Sequence, residues 1–115
     1  MKVTRIYADA SGVTRFEDRE IPLQAAGEIG RLSETMPGRG LIFRETEDTY
    51  DFDWHPAPRR QWIVLLDGEI EIEAGDGEVR CFRGGDVLQL EDTEGRGHRT
   101  RQLSAGVRRS LFIPF

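Results

Sequence analysis

The chain has only two histidines, His55 and His98, and imidazole is the side chain best suited to ligate a metal ion or to move a proton near neutral pH. His55 directly precedes a proline-rich segment, and His98 follows two closely spaced glycines that allow tight approach of the backbone. In an extended chain, residues two apart face the same side, so we expect Asp53, His55 and Ala57 to share a face. The histidines are therefore either metal ligands or metal-free pocket residues that hydrogen-bond each other, a water or a ligand.

Next to His55 lie two arginines, Arg59 and Arg60, whose side chains must face opposite sides of a strand. An inward guanidinium would bind a carboxylate or phosphate as a planar fork, whereas a surface pair is commoner because arginine is seldom buried without a partner. The sequence does not say which of the two faces a pocket. Trp62 could stack a ligand ring, although packing in a core or an interface is the commoner role for tryptophan.

The composition predicts one ordinary globular domain spanning residues 1–115, with 37% hydrophobic and 32% charged residues. The longest unbroken apolar run, Trp62 to Leu66, is far shorter than the roughly 20 residues of a membrane-spanning helix, and the first residues do not resemble a signal peptide. A single cysteine fits a reducing compartment, so we expect a cytoplasmic protein with no membrane partner. The net charge of -5 and the pI near 5.1 argue against nucleic acid as a partner.

The arginines near the end of the chain are expected to form ion pairs. After Glu94 the chain has no acidic residue, whereas an acidic stretch precedes the first histidine. Cross-strand or intersubunit pairing is the expected use of these arginines, with capture of an anion as the second possibility. The basic residues are Arg96, Arg99, Arg101, Arg108 and Arg109, and the acidic ones are Glu45, Glu47, Asp48, Asp51 and Asp53.

Alternation of apolar and polar residues is the main structural signal. The run Glu69 to Ala74 alternates strictly, and after the turn Gly75-Asp76-Gly77 a second alternating run contains Val79 and Cys81, which predicts a β-hairpin with Cys81 as a small buried hydrophobe. The segment Pro22 to Met36 contains Gly27 and Gly30, which disfavour a helix by about 2 kcal/mol relative to Ala, so we expect irregular structure or short strands there. The other predicted strands are Val3 to Tyr7, Leu41 to Arg44, Thr49 to Trp54, Gln61 to Leu66, Val87 to Leu90, Arg99 to Leu103 and Val107 to Ile113.

Many short strands and almost no helix predict an all-β barrel or sandwich, and two stretches of the chain resemble the motifs of the cupin family. In the first, at about 53–68, the frame His-x-His-x(3–4)-Glu-x(6)-Gly is met by His55, Ala57, Gln61 and Gly68. In the second, at about 84–98, a Gly-Asp turn at Gly84-Gly85-Asp86-Val87 is followed by His98. The resemblance implies a single cupin jelly-roll β-barrel with a small-molecule pocket in its interior.

The resemblance also implies a ligand set, which this chain meets only in part. Cupins that bind metal use three histidines and one glutamate, whereas Ala57 has no donor atom and Gln61 is neutral. His55, Gln61 and His98 are then the candidate metal ligands, with Asp53 as a further candidate that would complete a set of two histidines and one carboxylate. The metals considered are Fe, Mn, Ni and Zn. We expect the pocket to be lined by His55, Gln61, His98, Arg59 and Trp62, and no catalytic residue is assigned.

Three functions remain open from the sequence. The first is a metal-dependent oxygenase or isomerase that acts on a small polar organic compound. The second is a metal-free module that binds or senses a small anion, and the third is a structural protein whose barrel has lost its activity. The apolar end Leu111 to Phe115 is expected to pack on its own barrel or on a second copy of the chain, which predicts a homodimer.

Overall fold

The computed structural model describes residues 1–115, and almost all of its regular structure is β-strand. It contains twelve strands and one short 3₁₀ turn, at Gly27–Ile29. The first six strands are β1 (Lys2–Ala8), β2 (Thr14–Glu20), β3 (Gln24–Ala25), β4 (Arg31–Leu32), β5 (Ile42–Thr46) and β6 (Asp51–His55). The other six are β7 (Gln61–Leu65), β8 (Glu69–Glu73), β9 (Val79–Arg83), β10 (Val87–Glu91), β11 (His98–Gln102) and β12 (Arg108–Pro114). The prediction of an all-β fold is confirmed.

Two sheets face each other and enclose the apolar core. The larger sheet has the strand order β2-β1-β10-β7-β12-β5, and the smaller one has the order β6-β11-β8-β9, while β3 and β4 form a separate two-stranded ribbon. The inward side chains of both sheets meet in one cluster that includes Ile6, Leu65, Ile70, Ile72 and Leu88. Because side chains alternate along each strand, the period-2 pattern of the sequence decides which residues reach this core.

The predicted hairpin is present as β8 and β9, but the prediction for Cys81 is wrong. The pairing sets Ile70 opposite Phe82 and Ile72 opposite Arg80, so Phe82 is buried in the core while Cys81 points outwards and is exposed. Residues directly opposite in an antiparallel pair share a face, and the connection from residue 74 to residue 78 determines this register. One residue more or less in that connection would have exchanged the two faces of β9.

One strand was not predicted, and the segment that follows it is irregular as expected. β2 carries mostly charged residues, but Thr14 and Phe16 alternate into the core while Glu17 forms an ion pair with Arg5 of the neighbouring β1. Between Pro22 and Met36 the chain forms only β3, the 3₁₀ turn and β4. The fold contains no helix that is both long and apolar enough to cross a membrane.

Candidate functional site

A cavity of about 320 Å³ lies between the two sheets. Its walls are mainly apolar, with Ile63, Leu65, Ile70, Ile72, Leu88 and Leu90 among the lining residues. The polar side chains that line it are Arg44, Tyr50, His55, Gln61, His98, Thr100 and Arg108. No aspartate or glutamate lines this cavity, so every charged side chain on its wall is basic. The volume falls near the lower end of the range of roughly 300–1,000 Å³ that is usual for ligand pockets.

A β-bulge in β6 turns His55 into the cavity. His98 of β11 pairs with His55, but Thr100, two residues further along β11, pairs with Phe52, three residues back along β6. The extra residue in β6 brings Phe52 and His55 to the same side, where their rings lie 4.0 Å apart between centroids. The expectation that Asp53 shares a face with His55 is therefore wrong. Asp53 is exposed, outside the cavity, and its carboxylate accepts a hydrogen bond from the backbone N–H of Trp54.

His98 is held by a buried carboxylate that the sequence analysis missed. Its Nδ1 lies 2.6 Å from Oδ2 of Asp92, and the hydroxyl of Thr14 donates to the same oxygen at 3.0 Å. Asp92 is 0% exposed, and its other oxygen, Oδ1, has no hydrogen-bond partner. Because a carboxylate only accepts, Nδ1 carries a proton, and Nε2 is the nitrogen that this contact leaves free. The available signal was an acidic residue two positions after the predicted strand Val87 to Leu90 and six positions before His98.

Gly97 allows the loop before His98 to pass against the chain at His55. A Cβ at Gly97 would lie 1.9 Å from the carbonyl oxygen of His55, and the residue has a φ of 80°, which side-chain-bearing residues rarely adopt. The close backbone approach predicted for the glycines before His98 is thus confirmed. It allows the two histidines to sit opposite each other, with ring centroids 4.8 Å apart.

The ring of His55 is oriented by its own strand. Nδ1 lies 2.7 Å from the carbonyl oxygen of Asp53, which can only accept, so Nε2 is again the free nitrogen of the neutral ring. Burial lowers the pKa of His55 below its usual value, and the neighbouring His98 and Arg44 act in the same direction. His55 is therefore neutral at pH 7.

Gln61 and Ala57 also line the cavity, as the sequence predicted for Gln61. Gln61 is the first residue of β7 and is only 2% exposed. Ala57 is buried, and its backbone N–H donates to the carbonyl oxygen of Asp92. The structure thus brings His55, Gln61 and His98 together at one cavity, with the methyl group of Ala57 where the resemblance placed a second histidine.

The structure places two other predicted pocket residues, Arg59 and Trp62, away from the cavity. Arg59 is exposed in the loop before β7, and the neighbouring Arg60 also stays outside, where it pairs with Glu91. Trp62 alternates with the inward residues Gln61 and Ile63, so it lies on the outer face of the sheet. Its ring packs against Phe115, 5.7 Å between centroids.

The basic side chains that do line the cavity are Arg44 of β5 and Arg108 of β12, which the sequence analysis did not place there. Arg108 is 4% exposed and forms no ion pair; its Nε donates to Oε1 of Gln102 at 3.2 Å. Burial lowers the pKa of Arg108, and the guanidinium of Arg44 adds to this effect. Arg99 pairs with Asp51 of the acidic stretch, whereas Arg101 and Arg109 pair with Glu71 and Asp67. The pairing prediction is wrong for Arg108 and also for Arg96, whose guanidinium lies over the ring of Trp54.

The donors around the two histidines do not fit a resident divalent cation. No group of three or more His, Cys, Asp or Glu side chains lies close enough to hold a metal ion. The carboxylate nearest to the pair, that of Asp92, already accepts from His98, and Asp53 lies outside. What remains is two imidazoles and the amide of Gln61, in a cavity whose arginine side chains are both cations.

Comparison with known proteins rests on structure alone. No protein-family model matches the chain, and no curated protein matches its sequence. Among solved structures, the cupin domain of Cnp3 from Schizosaccharomyces pombe matches with a TM-score of 0.50 and 12% identity, over 99% of this chain and 88% of that one. Protein NMB1881 from Neisseria meningitidis matches with a TM-score of 0.50 and 19% identity, over 70% of this chain and 78% of that one. At these identities the similarity concerns the fold.

Proposed function

The chain has a cupin fold, and we propose that it binds a small organic molecule in the cavity between its two sheets, without a resident metal ion. The observation that carries this proposal is the cavity itself, about 320 Å³ in volume, with apolar walls and a few convergent polar groups. Such a combination is typical of ligand pockets, in which the apolar wall supplies affinity and the polar groups supply orientation. The two free Nε2 atoms and the amide of Gln61 would orient the ligand at one end.

A metal-dependent oxygenase or isomerase is the second candidate, and one observation favours it. Both imidazoles use Nδ1 for an oxygen acceptor, His55 for a carbonyl and His98 for a carboxylate, which is the usual outer-shell arrangement of metal-bound histidine. The absence of a carboxylate on the cavity wall and the presence of Arg44 and Arg108 there oppose it. We therefore prefer the metal-free site and derive no step through a metal.

The proposal is tested with two variants of β7 that each add an aromatic ring, one inside the cavity and one on the outer face of the sheet. Benzamide, a small neutral aromatic compound, is the probe, and its binding is followed by chemical-shift changes in ¹H–¹⁵N NMR spectra. Ile63→Phe narrows the cavity, whereas Val64→Phe adds the same ring to the next residue, on the outer face of β7. We expect binding to wild type and to Val64→Phe, with at least about tenfold weaker binding to Ile63→Phe. Equal affinity for all three proteins would contradict the proposal.

A further inference from the structure

The geometry points to Arg44 and Arg108 as a carboxylate-binding pair, so that the molecule held in the cavity is an organic acid with an apolar body. This inference rests on the proposed function, because it names the chemical class of the ligand that the same cavity takes. It concerns the end of the cavity at Tyr50, where both guanidinium groups lie. His98 begins β11, whereas Gln102, the hydrogen-bond partner of Arg108, ends it.

Arg108 is a buried cation without a counter-charge. It is 4% exposed and lines the cavity, and its only hydrogen bond is the one from Nε to Gln102. A buried charge is costly unless it is paired, and buried arginines in folded proteins are normally paired for this reason. The two Nη atoms of Arg108 form no hydrogen bond with the protein, so an anionic ligand is the partner that this side chain lacks.

Arg44 supplies a second unpaired cation at the same end. It is half-buried and forms no ion pair, and both guanidinium groups lie over the ring of Tyr50, at 5.3 Å for Arg44 and 5.6 Å for Arg108. The exposed neighbour Arg109 shows the contrast, because it pairs with Asp67 at 2.6 Å. Two guanidiniums around one aromatic ring, with no acid on the cavity wall, leave two positive charges that no carboxylate of the wall neutralises.

Two buried hydroxyl groups lie directly opposite the two arginines in the pairing of β5 with β12. Thr46 pairs directly with Arg108 across β5 and β12, and Ser110 pairs with Arg44, so these four residues share the inward face of the sheet. The hydroxyl oxygens of Thr46 and Ser110 are buried and have no hydrogen-bond partner. Unsatisfied donors are rare in protein interiors, and here they lie beside two unpaired cations. Neither hydroxyl-bearing residue lines the cavity itself, so the two arginines carry the inference and the hydroxyls add polarity behind them.

A carboxylate fits this end better than a phosphate. A guanidinium whose Nε is already engaged still offers its two Nη atoms, which match the two oxygens of a carboxylate. The rest of the cavity is mainly apolar, and a singly charged group costs less to remove from water than a doubly charged phosphate. The apolar walls beyond Tyr50 would then receive the hydrocarbon part of the acid.

The test compares benzoate, benzamide and phenyl phosphate, which differ in the charged group, by isothermal titration calorimetry. We expect benzoate to bind wild type at least about tenfold more tightly than benzamide, and phenyl phosphate more weakly than benzoate. Arg44→Gln and Arg108→Gln should each remove most of the preference for benzoate, whereas Arg109→Gln, with the same change of charge on an exposed neighbour, should keep it.

The outcomes separate this inference from the proposed function. Equal binding of benzoate and benzamide would overturn the assignment of an organic acid and leave the proposed function intact. Binding of neither would overturn both, and tighter binding of phenyl phosphate would overturn the choice of a carboxylate. If Arg108→Gln does not fold, Arg44→Gln decides, because its half-buried side chain can be shortened without opening the core.

Discussion

The carboxylate of Asp92 lies 2.6 Å from Nδ1 of His98, and both side chains are buried where the loop after β10 meets the start of β11. The contact joins a loop residue to a cavity residue six positions later in the chain. Thr14 donates to the same carboxylate oxygen from the far edge of the larger sheet. Asp92 therefore orients the imidazole and also links the two sheets.

Replacing Asp92 by asparagine should lower stability. The variant keeps the shape of the side chain but removes the charge that accepts from both His98 and Thr14, so we expect the free energy of unfolding to fall by about 1–3 kcal/mol. Urea denaturation measures this loss, and Thr93→Ala, at the exposed next residue, is the control that should change it little. An Asp92→Asn protein as stable as wild type would contradict the role assigned to this carboxylate.

His55 should make stability depend on pH below neutrality. Burial lowers the pKa of His55 in the folded protein from the usual 6.5, so above pH 6.5 the side chain is neutral in both the folded and the unfolded states. As the pH falls below 6.5, the unfolded chain takes up a proton that the folded chain accepts only at lower pH. The free energy of unfolding must therefore decrease until the pH drops below the pKa of the folded protein.

The measurement compares wild type with His55→Gln in urea unfolding experiments between pH 8 and 5, alongside an NMR titration of the His55 ring. The loss of stability on acidification should be smaller in the variant, and the ring should titrate below pH 6.5 in the folded protein. Identical pH profiles for the two proteins would show that burial of His55 does not lower the free energy of unfolding on acidification.

Replacing Arg108 by methionine should raise stability while it weakens binding of the anion. Methionine keeps most of the apolar stem and removes a buried charge that has no counter-charge, so we expect the free energy of unfolding to rise by on the order of 1 kcal/mol without ligand. Arg109→Met, at an exposed position, removes only a surface ion pair and should change stability by less than about 1 kcal/mol. A strongly destabilised Arg108→Met would mean that Arg108 supports the fold and not a ligand.

Metal content should not depend on the two histidines. Elemental analysis of untagged protein is expected to find transition metal far below one ion per chain in wild type, His55→Ala and His98→Ala alike, because the cavity wall carries no carboxylate. Arg101→Ala, on the outer face of the smaller sheet, is the matched control. Near-stoichiometric metal that is lost in both histidine variants would instead establish the metal-dependent candidate.

The predicted homodimer has a surface that can be tested. Phe43 is 77% exposed on β5 at the edge of the larger sheet, and it pairs with Leu111 of β12 on the outer face, next to Val64 of β7. An exposed apolar face of this kind is typical of an interface. We expect Phe43→Lys to shift sedimentation from dimer to monomer, and Val79→Lys, at the opposite edge of the fold, to leave it unchanged. A wild-type monomer at high micromolar concentration would contradict the prediction.

Local alternation was enough to predict most of the strands, and the motif resemblance predicted three of the polar residues that line the cavity. The β8–β9 hairpin and most other strands follow from period-2 patterns and from glycine turns, which act over a few residues and can be recognised directly in the sequence. Gln61 was predicted to line the pocket from the resemblance to the cupin motif, and the structure places it on the cavity wall. The alternation also supports the resemblance that located His55, Gln61 and His98 at one cavity.

Tertiary structure decided the features that depend on register and on contacts distant in sequence. A single extra residue in β6 moved Asp53 outwards and Phe52 inwards, and the length of the β8–β9 connection exposed Cys81. Neither change leaves a mark in the local pattern, because a shift of one residue exchanges the faces of a strand without altering its composition. The pairing of Asp92 with His98 likewise needed the folded chain.

The charge of the cavity shows the same division most clearly. The sequence by itself determined that five arginines and no acidic residue follow Glu94, and pairing with the earlier acidic stretch was the expectation for all of them. Only the fold decided that Arg108 faces inwards, where it forms no ion pair, while Arg109 faces outwards to Asp67. Whether a charge is solvated, paired or left for a ligand depends on its neighbours in space. Those neighbours come from other strands, so the order of residues along one strand does not reveal them.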